Sequence, residues 1–132
     1  ERWRVRDAAE GLTSTLYYAR SEAITRGGGI ATDATGRWDR GWKVTHTSNA
    51  ITTDLKVSTA PPRIAATHSN GKLILYVDRW GMLSETSGGA PSPGMNLLLK
   101  PTGKLDTDFS AIRLCIAAGG RIAQMKQGAA CP

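Results

Sequence analysis

Several absences narrow the reading before any motif does. No run approaches the roughly 20 consecutive apolar residues that a membrane-spanning helix requires, and no secretory hydrophobic region is present. The two histidines, at positions 46 and 68, are far apart, and no Gly-x-Ser-x-Gly, His-Glu-x-x-His or paired-cysteine signature accompanies them. They read as structural or surface residues. The two cysteines, at 115 and 131, lack third and fourth ligands at metal-binding spacing. No internal repeat is evident. The expectation is a non-enzyme with no catalytic residue, metal, cofactor or small-molecule substrate. There is also no initiator methionine: the sequence opens at Glu1 inside a charged, helix-compatible stretch, as expected of a piece of something longer or of a processed product.

What is present is organised around one helix. Val5, Ala9, Leu12, Leu16, Ala19 and Ala23 recur at spacings of four and three, which places them on one stripe of a 3.6-residue helix. Arg20, Glu22 and Arg26 lie off that stripe, with Glu22 and Arg26 at i, i+4 in the favourable acid-before-base order. Gly27-Gly28-Gly29 stops the helix, since glycine accepts the left-handed geometry of a helix end. The run lacks the preceding strand and following Lys-Ser/Thr of a phosphate-binding loop. The helix is expected over about residues 1–26, with Leu12, Leu16, Ala19 and Ala23 as its packing positions.

After Gly29 the chain reads as short strands. A weak hairpin is expected over Ile30 to Trp38, turning at Asp33-Ala34-Thr35-Gly36. Gly41 to Thr47 alternates, so Trp42 and Val44 should face the core; Thr53 to Thr59 repeats the alternation with Leu55 and Val57. Pro61-Pro62 breaks the pattern, and Arg63 to Thr67 resumes as a short edge strand. Asn70-Gly71 suits a type I′ hairpin turn. Lys72 to Val77 is a strong strand, continuous enough to be covered on both faces. Thr86 to Gly94 has no apolar anchor and reads as an exposed, mobile loop. Met95 to Leu99, Phe109 to Ile116 and Arg121 to Met125 are further strands, the last two joined by Ala118-Gly119-Gly120. Trp38, Trp42 and Trp80 read as core or rim residues rather than stacking platforms. A chain of 132 residues at 40% hydrophobic content is expected to form one α+β domain, a helix laid across antiparallel sheet, with the β region over about residues 30–132.

Two features bear on chemistry. Seventeen basic against eleven acidic residues give a net charge of +6, which favours polyanionic partners or serves solubility alone. Residues 100–132 are the most one-sided part, with five basic and two acidic residues. Arg113, Arg121 and Lys126, with Lys100 and Lys104, are candidates for a patch attractive to phosphates beside the last hairpin. Cys115 and Cys131 are spaced to hold that hairpin, and a disulfide closing such a loop would contribute roughly 3 kcal/mol. That pairing implies an oxidising compartment; two free thiols in a reducing one are the alternative.

Ala19-Arg20-Ser21-Glu22-Ala23-Ile24-Thr25-Arg26, then Gly41-Trp42-Lys43-Val44, then Ile116-Ala117-Ala118-Gly119-Gly120-Arg121-Ile122, together resemble the GspH/FimT family of type IV minor pilins and type II secretion pseudopilins. The landmarks fall in the family's order over nearly the whole chain. The resemblance implies a type IV pilin-like fold and a subunit made as a prepilin, cleaved by prepilin peptidase and anchored in the bacterial inner membrane by a hydrophobic half-helix that this chain lacks. Its globular part would then be periplasmic before assembly and extracellular in the pilus. Implied partners are other minor pilins and the major pilin. FimT-type members resemble DNA receptors of natural transformation that use a C-terminal Gly-Arg-x-Arg motif; here Gly120-Arg121-Ile122-Ala123 keeps the first arginine and has alanine for the second, which weakens the expectation of double-stranded DNA binding. The expected function is a type IV pilus minor pilin in assembly and priming, with DNA uptake secondary and the H pseudopilin of type II secretion as the alternative.

Overall fold

The computed structural model describes residues 2–34, 38, 40–59, 63–86, 95–104, 110–117, 121–126, 129 and 131. Helix α1 (Arg2–Arg26) is followed by nine strands: β1 (Ile30–Asp33), β2 (Trp42–Ser48), β3 (Ile51–Ser58), β4 (Ile64–His68), β5 (Ile74–Val77), β6 (Leu83–Ser84), β7 (Met95–Pro101), β8 (Ile112–Ile116) and β9 (Ile122–Lys126). They form two antiparallel sheets, ordered β3-β2-β1-β5-β6 and β4-β7-β8-β9.

The helix buries the stripe its spacing predicts. Val5, Ala9, Leu12, Leu16, Ala19 and Ala23 are all buried, joined by Ala8. They meet inward residues of both sheets, including Ile30, Val44 and Leu75 from the first and Leu97, Leu99 and Leu114 from the second. Ala8, Ala9, Ala19 and Ala23, on either side of the two leucines, let strands approach the helix closely. One polar contact is built into this interface: the Thr15 hydroxyl donates to the Gly11 carbonyl at 2.8 Å and accepts the indole N–H of Trp42 at 3.0 Å. A buried indole N–H thereby finds the partner it needs. At the C-terminal end Gly27 takes φ +80° and the Gly28 N–H returns to the Ala23 carbonyl at 2.8 Å, a Schellman-type cap that only a residue tolerant of positive φ closes without strain.

The structure departs from the sequence expectations at identifiable places. Strand β1 does hairpin, but with β2, Ile30 opposite His46 and Asp33 opposite Lys43, rather than within the stretch ending at Trp38. Residues 35–37 of the expected Asp33–Gly36 turn lie outside the described ones. Leu55 and Val57 do not share an inward phase. The register skips Leu55 between the pairs Val44↔Lys56 and Thr45↔Asp54, a bulge that leaves Leu55 packed on the core and Val57 67% exposed opposite Lys43.

The type I′ turn also sits elsewhere. Asn49 and Ala50 both have positive φ, 53° and 64°, and close the β2–β3 hairpin between Ser48 and Ile51. At Asn70-Gly71 only the glycine is positive, at 70°, and the turn carries the chain from β4 in one sheet to β5 in the other. The strand expected to be covered on both faces is covered on one: Leu75 and Val77 are buried, Ile74 and Tyr76 only half-buried. Strand β7 takes that role instead, with Leu97, Leu98 and Leu99 all buried. Residues 87–94 of the expected mobile loop, and Phe109 of the expected strand, lie outside the described residues.

Candidate assembly surfaces and basic residues

Opposite its buried stripe, α1 carries a second row. Trp3, Tyr17 and Ile24 stand at multiples of seven residues and are 65%, 44% and 50% exposed. Seven residues advance an α-helix by nearly two turns, so these side chains, with Glu10 between them, line one face. The Tyr17 hydroxyl also accepts the Ile122 N–H at 3.3 Å, tying the helix to the start of β9. Among the described residues of the first helical turn none is acidic, and the Arg4 guanidinium lies 5.2 Å from the Trp3 ring centre. Sequence reasoning centred on the buried stripe passes over this row, although its spacing of seven was there to be found.

Cys115 and Cys131 are joined, with their Cα atoms 5.7 Å apart. Cys115 lies opposite Ala123 on β9, so the bond fastens the end of the chain beside the position where FimT-type proteins are expected to carry the second arginine of their motif. Ala123 is half-buried, beside Cys115 on the outward face of the second sheet.

The five candidate cations do not gather on one surface. Register puts Lys100 and Arg113 on the outward face of the second sheet, with Asn96, Leu98 and Cys115; the Arg113 guanidinium donates to the Asn96 side-chain carbonyl at 2.7 Å. Lys126 lies opposite Ile112, on the face turned toward the helix. Lys104 follows β7 in a turn closed by its own N–H on the Pro101 carbonyl at 3.1 Å. Arg121 precedes β9 at the other end of the sheet, where its carbonyl accepts the Ala117 N–H at 2.9 Å. The length of β8 separates that end from Lys126, about 13 Å at 3.3 Å per residue. Gly119 and Gly120 lie outside the described residues.

His68 is buried and structural in its bonding. Its Nδ1 accepts the Asn70 and Lys72 N–H groups at 3.0 and 3.3 Å, so the proton of the neutral ring sits on Nε2. That nitrogen lies 3.3 Å from Met95 Sδ and 3.4 Å from Glu85 Oε2. Burial pushes the pKa below its usual value, Glu85 opposes the shift and Lys72 adds to it. A ring whose Nδ1 is already an acceptor and whose Nε2 carries the proton has no lone pair left for a metal. Among the described residues no group of three or more His, Cys, Asp or Glu side chains is arranged to hold one. The tryptophans divide: Trp38 and Trp42 are buried, the former donating its indole N–H to the Lys72 carbonyl at 2.8 Å, whereas Trp80 stands 70% exposed, contrary to its reading as a core or rim residue.

Curated protein sequences yield no match. Among solved structures, the type IV minor pilin FimU of Pseudomonas aeruginosa (strain PAO1) superimposes with a TM-score of 0.77 at 23% identity, covering 98% of this chain and 93% of FimU. A second crystal form of FimU gives 0.73 at 23% identity, covering 94% of each chain. The minor pseudopilin EpsH of the Vibrio cholerae type 2 secretion system gives 0.66 at 16% identity, covering 96% of this chain and 99% of EpsH. These likenesses establish a shared pilin-like α+β fold. The family model for the type II transport protein GspH matches residues 8–126, from the second turn of α1 to the end of β9. That span takes in the packing stripe and both sheets, and on it the chain belongs to the GspH family of minor pilins and pseudopilins, structural subunits rather than known enzymes.

Proposed function

We propose that the chain is the globular part of a type IV pilus minor pilin that assembles with other minor pilins and with the major pilin. The observation that carries this reading is the two-faced helix. One face of α1 is spent on its own two sheets, while Trp3, Tyr17 and Ile24 stay available on the other. A helix with a second apolar row is suited to packing against neighbouring helices in a fibre. The Cys115–Cys131 bond suits an oxidising compartment, which the periplasm and the cell exterior both are, and it fastens the last hairpin in either setting. In the full-length subunit an apolar half-helix preceding this segment would hold the protein in the inner membrane before assembly.

Deleting the gene is expected to reduce surface pili or pilus-dependent motility. Normal piliation together with failed protein secretion selects the type II pseudopilin instead. Double-stranded DNA is a secondary proposed partner, motivated by the net charge of +6 and by Arg121. Contacts to phosphate alone would be independent of sequence and weaken steeply with salt. In an anisotropy titration at low salt, Arg121→Ala should lower affinity and Arg2→Ala should not. No binding at tens of micromolar protein, or equal losses from both variants, removes DNA from the reading.

A further inference from the structure

The turn between β5 and β6 holds a tryptophan and an arginine out into solvent on a rigid mount. Asp78 Oδ1 accepts the N–H groups of Trp80 and Met82, each at 3.0 Å; the Gly81 N–H donates to the Asp78 carbonyl at 2.9 Å, and the Asp78 N–H to the Met82 carbonyl at 3.1 Å. Helix α1 grips the turn from two sides. Arg20 Nε donates to the Gly81 carbonyl at 3.2 Å, and a methyl group placed on Gly81, whose φ is +82°, would lie 2.9 Å from the Arg20 side chain and 3.1 Å from Ile24. On the other side Gly28 packs so closely that a Cβ there would stand 3.3 Å from the Arg79 backbone nitrogen. The glycine run that ends the helix therefore also seats this turn.

What the mount presents is unusual for an unpartnered surface. Trp80 is 70% exposed, and the Arg79 guanidinium lies 5.6 Å from its ring centre. Beside them opens a cleft of about 320 Å³, lined by Gly27, Gly28, Tyr76, Asp78, Arg79 and Trp80 among others. The outward charge is positive: the Asp78 oxygen is turned onto its own backbone, Arg26 is paired with Glu22, and Arg20 and Arg79 stand at the edge of the apolar surface. Through Ile24 this surface runs into the exposed row of α1.

We propose that the Asp78–Gly81 turn is a specific docking site for a neighbouring pilin subunit, which inserts an acidic, apolar segment into the cleft with Trp80 and Arg79 as anchors. Tryptophan and arginine are the residues that most often carry interface energy, and an anchor already held in place loses little conformational freedom on binding. Charge complementarity calls for an acidic segment, and continuity with the helix row calls for a subunit of the same fibre. The inference rests on the minor-pilin reading and adds a side-by-side contact of the globular domains, distinct from helix packing.

The test measures binding of this chain to the purified globular domains of the pilin subunits produced with it, by biolayer interferometry, together with piliation after complementation of the gene deletion. Trp80→Ala is expected to weaken binding to one of those subunits about thirtyfold or more, and Arg79→Glu about tenfold with a lost salt dependence. Ile51→Ala, an exposed apolar change on β3, should leave binding unaltered. Circular dichroism melts should match wild type for all three. Absence of binding to any of the subunits overturns the proposal. So does equal binding by Trp80→Ala, or a loss seen only in self-association of this chain. If deletion abolishes piliation and the Trp80→Ala gene restores it fully, only the docking site is lost and the minor-pilin reading stands; if deletion leaves piliation intact, the reading beneath it fails.

Discussion

The sheet β3-β2-β1-β5-β6 and the sheet β4-β7-β8-β9 both lay their inner faces on α1, yet they are secured by different means. The first is tied to the helix by the Thr15–Trp42 hydrogen bond and by Arg20 on the Gly81 carbonyl. Burial falls away toward its edge, where every residue of β3 is exposed or half-buried. The second sheet has a central strand, β7, buried on both faces, and its last strand β9 is closed covalently through Cys115 and Cys131. The non-covalent ties of the first sheet reach segments far from the helix along the chain, at Trp42 and Gly81. The last hairpin has a hydrogen bond to the helix, from the Ile122 N–H to the Tyr17 hydroxyl, and adds a covalent bond. The difference teaches where damage should spread: through the shared helix stripe to both sheets, and from the disulfide to one.

The largest effect is therefore expected at the stripe. Leu16→Ala removes a buried side chain at the helix–sheet boundary and should cost about 2 to 5 kcal/mol in a chemical melt. Hydrogen exchange should rise in both sheets together; protection lost in one alone would show that the helix does not couple them.

Next in size is the disulfide. Cys131→Ser paired with Cys115→Ser should lower stability by about 3 kcal/mol. Local exchange should accelerate at β8 and β9 well before β1 and β2. Uniform acceleration across the molecule would erase the distinction drawn between the sheets.

The turn joining the two sheets should respond to acid. Burial holds the His68 pKa below its ordinary 6.5, and the unfolded chain therefore takes up a proton in a range where the folded chain does not. Its contribution is fully present above pH 6.5 and declines as pH falls through that value toward the folded pKa. Equilibrium unfolding across pH 7.5 to 4.5 should show this decline, and a His68→Asn variant should show a flatter profile in that window. A stability that rises as pH falls from 6.5 would mean that Glu85 outweighs burial.

The smallest effect belongs to the edge of the first sheet. Ala50 has φ 64°, which costs a non-glycine residue about 1 kcal/mol, and Ala50→Gly should recover up to that amount, less the entropy glycine adds to the unfolded chain. A measurable destabilisation would show that the methyl group packs.

Much of this was legible in the residues, and the reasons differ from place to place. The stripe from Val5 to Ala23 could be read because a helix repeats every 3.6 residues and has one buried side, so spacing alone selects the face. The phase of β2 could be read because that strand is half-buried, with Trp42 and Val44 inward. Strand β3 misled because the bulge at Leu55 shifts its phase, and nothing in eight alternating residues announces a bulge. Asn70-Gly71 looked like the better hairpin turn, yet strand pairing put the type I′ turn at Asn49-Ala50, where Ala50 accepts a strained conformation because the ladder on either side demands it.

The candidate surfaces divide in the same way. Net charge, the cysteine pair and the exposed row at residues 3, 17 and 24 belong to the sequence itself, since they depend on composition, count and spacing along one helix. Whether five cations form a patch depends instead on which face of which strand each occupies, and register sends Lys126 to one side and Arg113 to the other. The mount of Trp80 is likewise tertiary: its parts come from residues 20, 24, 28 and 78–82, and only the packing of the helix end against the β5–β6 turn brings them together. Local periodicity is set by the chain's own geometry and can be read in one dimension. Juxtaposition of distant segments is decided by which packing buries the most apolar surface while satisfying the backbone, and that exists only once the chain has folded.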